Sequence, residues 1–522
     1  MLLCLLFTLS SALANPKVYG QGFVDYEGDL PILHLKGSEY EMGKQYGYLV
    51  GDRVAANVEN LKSIGEAQEQ RVKLLPNSVF TWLRRVVGWV FWITYPENIK
   101  THIKGMVDGA KERDVKLHRY DISFVNAVID IVGIAKANIG ELPKDRQGLS
   151  EESFLLKVLG LDRFNHNCDS MAVWGSRTID GKTFQTRNTD ITTGVGIERY
   201  PLVVIYKPDG KIPFVTAAFS GMVGIFTGMN AHGIALGQVW AFSKDVALAE
   251  PWHISVRKIF SEATSAEQAL AKFKQLRTTT YGNNFVIADA GGHHDDSKTG
   301  YSIEMTAKRM AYFTENDPRE LELKYEGESY GYPIENAVYR GDLSLDPIIR
   351  SRQLAANGPE GDPRGTGSYS QRYKGQYDKI IAFEEQGKLI GKEEAESISR
   401  DTAMRGASLQ TAVYANTDRN MWVSYSKIMP DGKVIQAYEQ EYINIPFKDY
   451  LADLKLSNGE VVIKNWLKAA KNLTLKVKNT QSFEAQKIEL SRDEFTATGL
   501  YPATGDVVEL YHDNKLIDRL TL

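Results

Sequence analysis

A chain of 522 residues is longer than one ordinary domain needs and can bury a large core. Its 43% hydrophobic and 25% charged content matches a globular protein, which excludes a disordered chain and a bundle of membrane spans. A formal charge of −4, a pI near 6.2 and the lack of a basic block interleaved with aromatics remove the electrostatic case for nucleic acid.

The first fourteen residues, MLLCLLFTLSSALA, form a short apolar run closing on Ala12-Leu13-Ala14. They read as a signal peptide of an exported (extracellular, periplasmic or lysosomal) protein, too short to span a bilayer. Its removal would take Cys4 with it and leave Cys168 as the one thiol, so no internal disulfide could form. Residues 15–167 are expected to be mostly helical after an extended lead-in with a strand near Leu33. Ser38-Glu39-Tyr40-Glu41 is a capping box, followed by Met42, Tyr46, Leu49, Val50, Val54, Val58 and Leu61 at helical spacing. Gly43 and Gly47, one turn apart, would let a neighbouring element approach. Residues 78–95, with Trp82, Trp89 and Trp92, are strongly apolar but broken by Arg84 and Arg85. They suit a core helix, an interfacial helix in peripheral membrane contact, or a wall beside an acyl chain. Further helices are expected over Ile99–Glu112 and Ile122–Ala137, then a polar loop from Gly140 to Glu152.

At residue 168 the pattern changes. Met171–Arg177 and Lys182–Arg187 are strand-like runs separated by Ile179-Asp180-Gly181, a good hairpin signal. That hairpin would fold Arg187 and Asp190 back beside Cys168, placing a guanidinium and a carboxylate near a lone thiol. More strands are expected at 202–206, 213–218 and within 223–240 around Asn230-Ala231-His232-Gly233. Helices at 252–262 and 265–276 precede strands at 284–289, 301–305 and 310–313. Residues 330–370 read as surface loops and 373–401 as helix broken at Gly387–Gly391, before strands near 410–414, 421–427 and 434–438. The whole suggests an α+β protein, with a core over 168–446 and a small all-β module over 447–522. No cofactor and no metal is called for. His293-His294-Asp295-Asp296 reads as a solvated loop, Arg340-Gly341-Asp342 as a chance match to an adhesion tripeptide, and Asn472-Leu473-Thr474 as a glycosylation acceptor pattern relevant in a eukaryotic host.

HLKGSEYEMGKQYGYLVGDRV, NCDSMAVWGS and GKTFQTRNTDI resemble the penicillin acyltransferase-type family of autoprocessing cysteine hydrolases. These are N-terminal-nucleophile (Ntn) hydrolases, together with choloylglycine hydrolases and acid ceramidase-like enzymes. GMNAHGIALG and NNFVIADAGG…YSIEMT add to a resemblance covering roughly residues 30 to 445, outside which the trailing β module falls. The resemblance implies a four-layer αββα fold and a precursor that cuts its own Asn167–Cys168 bond, giving an alpha/beta heterodimer. Its substrate would be a small-molecule amide or acyl lipid, attacked through a Cys168 thioester. The freed α-amine, with a pKa near 8, would serve as base for its own thiol. Arg187 would favour the thiolate, Asp190 would orient the ammonium, and an asparagine from a later strand or loop would serve the oxyanion. Asn284 is the first choice for that donor, with Asn316 and Asn230 as alternatives. Many relatives carry an asparagine where this chain has Asp342, a departure that bears on the same function. The competing readings are a thiol peptidase using His232 or His253 (His166 being too close in sequence), and a non-catalytic binding protein acting through its C-terminal β module.

Overall fold

The computed structural model describes residues 16–72, 77–140, 166–276, 281–292, 297–354, 361–466, 473–478, 483–488 and 495–522. The signal peptide over 1–14, most of the 140–152 loop, the His293–Asp296 cluster and Asn472 lie outside them.

Strands β1 (Lys17–Tyr19), β2 (Gly22–Glu27) and β3 (Leu30–Gly37) lead into helices α1 (Glu39–Val72), α2 (Asn77–Thr94), α3 (Glu97–Lys111) and α4 (Arg119–Gly140). The capping box closes as expected: the Ser38 peptide N–H donates to Glu41 Oε2 at 2.8 Å, and the Glu41 N–H donates to Ser38 Oγ at 3.3 Å. Glycines set how closely α1 and α3 pack. A Cβ on Gly43 would sit 2.0 Å from the His102 carbonyl oxygen, and one on Gly47 would sit 1.9 Å from that of Met106. Each glycine costs about 1 kcal/mol of helix propensity, accepted here because no side chain fits between the backbones. In α4, Arg119–Ile139 is long and apolar enough to cross a membrane, but 78% of its most apolar window is buried inside the fold. Helix α2 buries Phe91 and leaves Trp82, Trp89 and Ile93 largely exposed.

Residues after 165 supply β4 (His166–Val173), β5 (Phe184–Ile191), β6 (Pro201–Pro208), β7 (Phe214–Phe219), β8 (Thr227–Asn230), β9 (Ala235–Trp240), β10 (Asn283–Ala288), β11 (Gly300–Met305) and β12 (Met310–Phe313). Between β9 and β10 come α5 (Trp252–Glu262) and α6 (Ala266–Phe273). Later elements are β13 (Ala337–Arg340), α7 (Lys374–Glu385), α8 (Lys392–Thr402), β14 (Ser408–Ala415), β15 (Asn420–Tyr425) and β16 (Ile443–Ile445). Among the described residues, one sheet runs β1-β2-β3-β6-β7-β8-β9-β10-β11-β12 and another β13-β4-β5-β14-β15-β16. Strand β3 pairs parallel with β6, so residues 16–37 are built into the same sheet as residues after 200. The two sheets meet where β4 crosses β9, and a Cβ on Gly237 would lie only 1.8 Å from Ser170 Oγ. On its other face the second sheet carries α8, packed on β5 and β14, while α1 lies on β2 and β3.

The 330–370 region departs from expectation, holding β13 and a short helix over Pro347–Ser351 as well as loops. Four residues are too few to show an alternating pattern, and β13 is a strand because β4, far away in sequence, supplies its ladder. The C-terminal residues form β17 (Ala452–Ser457), β18 (Glu460–Asn465), β19 (Leu473–Lys478), β20 (Phe483–Ile488), β21 (Phe495–Ala497), β22 (Val507–His512) and β23 (Lys515–Thr521), in sheets β17-β18-β21 and β20-β19-β22-β23. They are not free-standing. Leu454, Ile463, Leu510 and Ile517 belong to the main apolar core, and Lys36 and Lys207 reach across from β3 and β6 as buried cations. Lys36 Nζ lies 2.5 Å from Asp518, and Lys207 Nζ lies 3.0 Å from Asp453 and 3.3 Å from Asp518.

Candidate active site

The expected hairpin exists, shifted outward: β4 begins at His166 and β5 ends at Ile191, and the turn carries Asp180 and Gly181 at φ of +56° and +68°. Its register pairs Asn167 with Asp190, Cys168 with Thr189 and Ser170 with Arg187. Directly paired residues share a face, so Cys168, Ser170, Arg187 and Thr189 all point towards β9. Asp169, Asn188 and Asp190 take the opposite face, under α8.

On the first face Arg187 is fully buried. Its guanidinium donates to the Gln238 carbonyl (3.2 Å) and Oε1 (3.1 Å), to Thr227 Oγ1 (2.7 Å) and to Thr189 Oγ1. These acceptors are neutral, and Asp190 acts on the guanidinium through its field rather than through a hydrogen bond. A buried cation held by neutral dipoles favours any negative charge that develops beside it. Gln238 is itself held by Asn283 Oδ1 at 2.6 Å, and Thr227 by Gln410 Oε1 at 2.6 Å, so the guanidinium is aimed by a two-step frame. Cys168 is buried, and burial pushes its thiol up to about 12; Asp342 and Asp190 push the same way, while Arg187 and the Asp190 peptide N–H oppose. The thiol is therefore held in its protonated form.

On the second face, Asp169 accepts from Asn188 Nδ2 at 3.0 Å and from Thr402 Oγ1 at 3.0 Å. Asp190 Oδ2 accepts from the Met404 peptide N–H at 2.8 Å, whereas Asp190 Oδ1 is buried without a hydrogen-bond partner. Burial holds the carboxyls of both Asp169 and Asp190 above their usual range. Two residues complete the surroundings. Asp342 Oδ1 accepts the Cys168 backbone N–H at 2.9 Å. The buried Arg372 stands between the two carboxylates, 3.9 Å from Asp190 Oδ2 and 3.7 Å from Asp342 Oδ2.

The asparagines expected near the oxyanion are otherwise engaged. Asn284 donates both amide hydrogens to the carbonyls of Gly341 and Leu343, each at 3.0 Å, and so pins the turn carrying Asp342. Asn230 closes the β8–β9 turn and donates to Phe260 and Ala263. Asn316 holds a turn at φ +50°. Of the histidines, His253 is buried with Nε2 on the Asn126 carbonyl at 2.7 Å, and burial pulls its imidazole down to about 4. His232 sits in the turn that Asn230 closes. Arg340 is 1% exposed and paired with Glu304 and Glu320 at 2.9 and 2.8 Å, so the 340–342 tripeptide is not displayed for adhesion. Sequence reasoning did not find Arg372, Gln238, Thr227 or Gln410. Arg372 stands in the polar run Ser370-Gln371-Arg372-Tyr373-Lys374, where nothing in the sequence marks it as buried or names its partners.

Beside Thr189 lies an apolar cavity of about 50 Å³ lined by Val125, Val128, Ile129, Ala217, Met222 and Phe226. It lies between α4 and the strands, one residue pair from Cys168.

No family model matches the chain. An uncharacterized protein of Archaeoglobus fulgidus is 25% identical over 210 residues, 40% of this chain and 32% of that protein. Protein dcd1B of Dictyostelium discoideum is 23% identical over 318 residues, 58% of this chain and 56% of that one. The chain thus spans less than two thirds of either relative. Solved structures give partial likenesses: a conjugated bile acid hydrolase of Clostridium perfringens (14% identity, TM-score 0.34, 52% of this chain and 93% of that one); a Caenorhabditis elegans N-acylethanolamine-hydrolyzing acid amidase ortholog (13%, 0.31, 53% and 100%); and penicillin V acylase of Agrobacterium tumefaciens (13%, 0.32, 51% and 84%). At these scores neither activity nor substrate is inferred from them.

Proposed function

We propose that this protein is an exported, self-cleaving cysteine amidohydrolase or acyltransferase of the Ntn type, with the four-layer αββα core of that class. The observation that carries the reading is the setting of Cys168: a buried thiol beside Arg187, whose guanidinium is held by neutral acceptors, its own backbone nitrogen already in the grip of a carboxylate. Cutting the Asn167–Cys168 bond would turn that nitrogen into an α-amine with a reference pKa near 8, able to take the thiol proton. The thiolate formed would lie against Arg187, attack an amide carbonyl and pass through a thioester; the ammonium would return its proton to the leaving nitrogen. Asp190 Oδ1, buried and unpartnered opposite Asn167, would gain a cation once that residue departs.

The acyl group is apolar in this reading. The cavity beside Thr189 is lined by aliphatic and aromatic side chains, and the exposed Trp82, Trp89 and Ile93 of α2 offer a peripheral contact with the membrane from which a lipid amide could come. A peptidase dependent on His253 is disfavoured by the engagement of that ring with Asn126. The test is N-terminal sequencing and intact mass of the purified protein beside Cys168→Ala. A new terminus at Cys168 in the parent, absent from the variant, is expected. Full activity in an unbroken chain would refute the proposal.

A further inference from the structure

We propose that Asp342, not Asp190 alone, is the counter-ion that carries the Cys168 nitrogen through both self-cleavage and turnover; this deepens the reading above and rests on it. Of the acidic groups near the cut, Asp342 is the one with an oxygen on that nitrogen already, at 2.9 Å. The turn bearing it is fixed from several sides. Asn284 holds the carbonyls of Gly341 and Leu343, Gln353 Nε2 donates to the Asp342 carbonyl, and Arg372 flanks the second carboxylate oxygen. Asp190, by contrast, hangs from the Met404 N–H on the face under α8.

The chemistry gives the contact two uses. In the precursor, Sγ adds to the Asn167 carbonyl carbon, the C–N bond to Cys168 breaks, and the nitrogen takes up the thiol proton. Water then cleaves the thioester to the Asn167 carboxylate and the free thiol. Throughout, Asp342 accepts an N–H from the nitrogen that leaves, so the amine is born in place. In turnover the amine must become ammonium inside a buried site, where desolvation favours the neutral form. A carboxylate within hydrogen-bond reach offsets that penalty and keeps the amine basic. The charged groups facing the nitrogen are Asp342 and Arg372 from the later segments, Asp190 and Arg187 from β5, Asp169 from its own strand, and the Cys168 sulfur. This is also the position at which the chain departs from the resemblance: an asparagine could accept the same N–H but could not balance the ammonium.

The experiment uses the mature protein and does not require its substrate. The rate of Cys168 alkylation by iodoacetamide is measured from pH 5 to 10 in the parent, Asp342→Asn and Asp190→Asn, with N-terminal sequencing of each. Removing the negative charge lowers the pKa of both amine and thiol, so the midpoint for Asp342→Asn should fall by one unit or more, and by more than for Asp190→Asn. Self-cleavage should survive in Asp342→Asn, which keeps an acceptor oxygen, and slow at least tenfold in Asp342→Ala. Should Asp342→Ala fail to fold, the Asn profile alone decides. A midpoint within 0.3 unit of the parent in Asp342→Asn, or a larger shift in Asp190→Asn, would overturn the assignment while leaving the terminus at Cys168 intact. A parent with no terminus there would overturn the underlying reading as well.

Discussion

Removing the carboxylate of Asp518 tests how the C-terminal strands are attached. This side chain is 3% exposed; it accepts from Lys36 Nζ at 2.5 Å and from the Leu454 peptide N–H at 2.6 Å, and pairs with Lys207 Nζ at 3.3 Å. Asp518→Ala strands a buried peptide N–H and leaves Lys36 with the Leu454 carbonyl alone, while Lys207 keeps Asp453. Breaking one side of a buried ion cluster costs about 3–5 kcal/mol, against a total stability of about 5–15 kcal/mol. In urea titrations with a slope of about 3 kcal/mol/M, the midpoint should fall by roughly 1 M or more at unchanged slope. The exposed Asp29→Ala is the control, with a change below about 0.5 kcal/mol expected. A loss under about 1 kcal/mol for Asp518→Ala would refute the argument that these charges lock the C-terminal sheets to β3 and β6.

Other outcomes follow from the same structure. Gly237→Ala places a methyl group where Ser170 Oγ now sits; self-cleavage should slow or stop, with about 1–3 kcal/mol lost to overpacking, read by gel and by urea midpoint. Val128→Trp fills the cavity beside Thr189, so the ratio of kcat/KM for a sixteen-carbon over a four-carbon acyl amide should drop tenfold or more, whereas an unchanged ratio would remove the cavity from the acyl path. His253 titrates near 4 when folded against about 6.5 unfolded, so the unfolded chain binds the proton first. Its contribution is complete above pH 6.5 and lost as pH falls towards 4, about 3 kcal/mol at most, and a His253→Gln chain should show a flatter acid limb in urea midpoints.

Much of this architecture could be read in the residues themselves. Asp180-Gly181 announced the hairpin because few other dipeptides accept two positive φ values, and Gly43 with Gly47 announced the close crossing of α1 on α3. Bringing Arg187 to the same face as Cys168, in the next pair on that face, needed only that hairpin. What escaped depends on chain segments far apart. Asp342 reaches Cys168 across 174 positions, and no local pattern encodes such a contact. Lys36 and Lys207 sit in strands where lysine normally signals a solvated face, and their burial is intelligible only with Asp453 and Asp518 in place. Residues 447–522 were expected to stand apart because their alternation is complete in itself; the apolar side chains they share with the main core are indistinguishable in sequence from those of an independent sheet.

Strand β4 starts two residues ahead of Cys168, so the rungs His166–Ile191 and Asn167–Asp190 belong to whatever lies upstream of the nucleophile. Severing the chain there converts the middle of a ladder into a loose end, held by two rungs instead of by continuity. Under the proposed self-cleavage its peeling away would uncover Asp190 and the sulfur together, so the cut itself would open the doorway to the site.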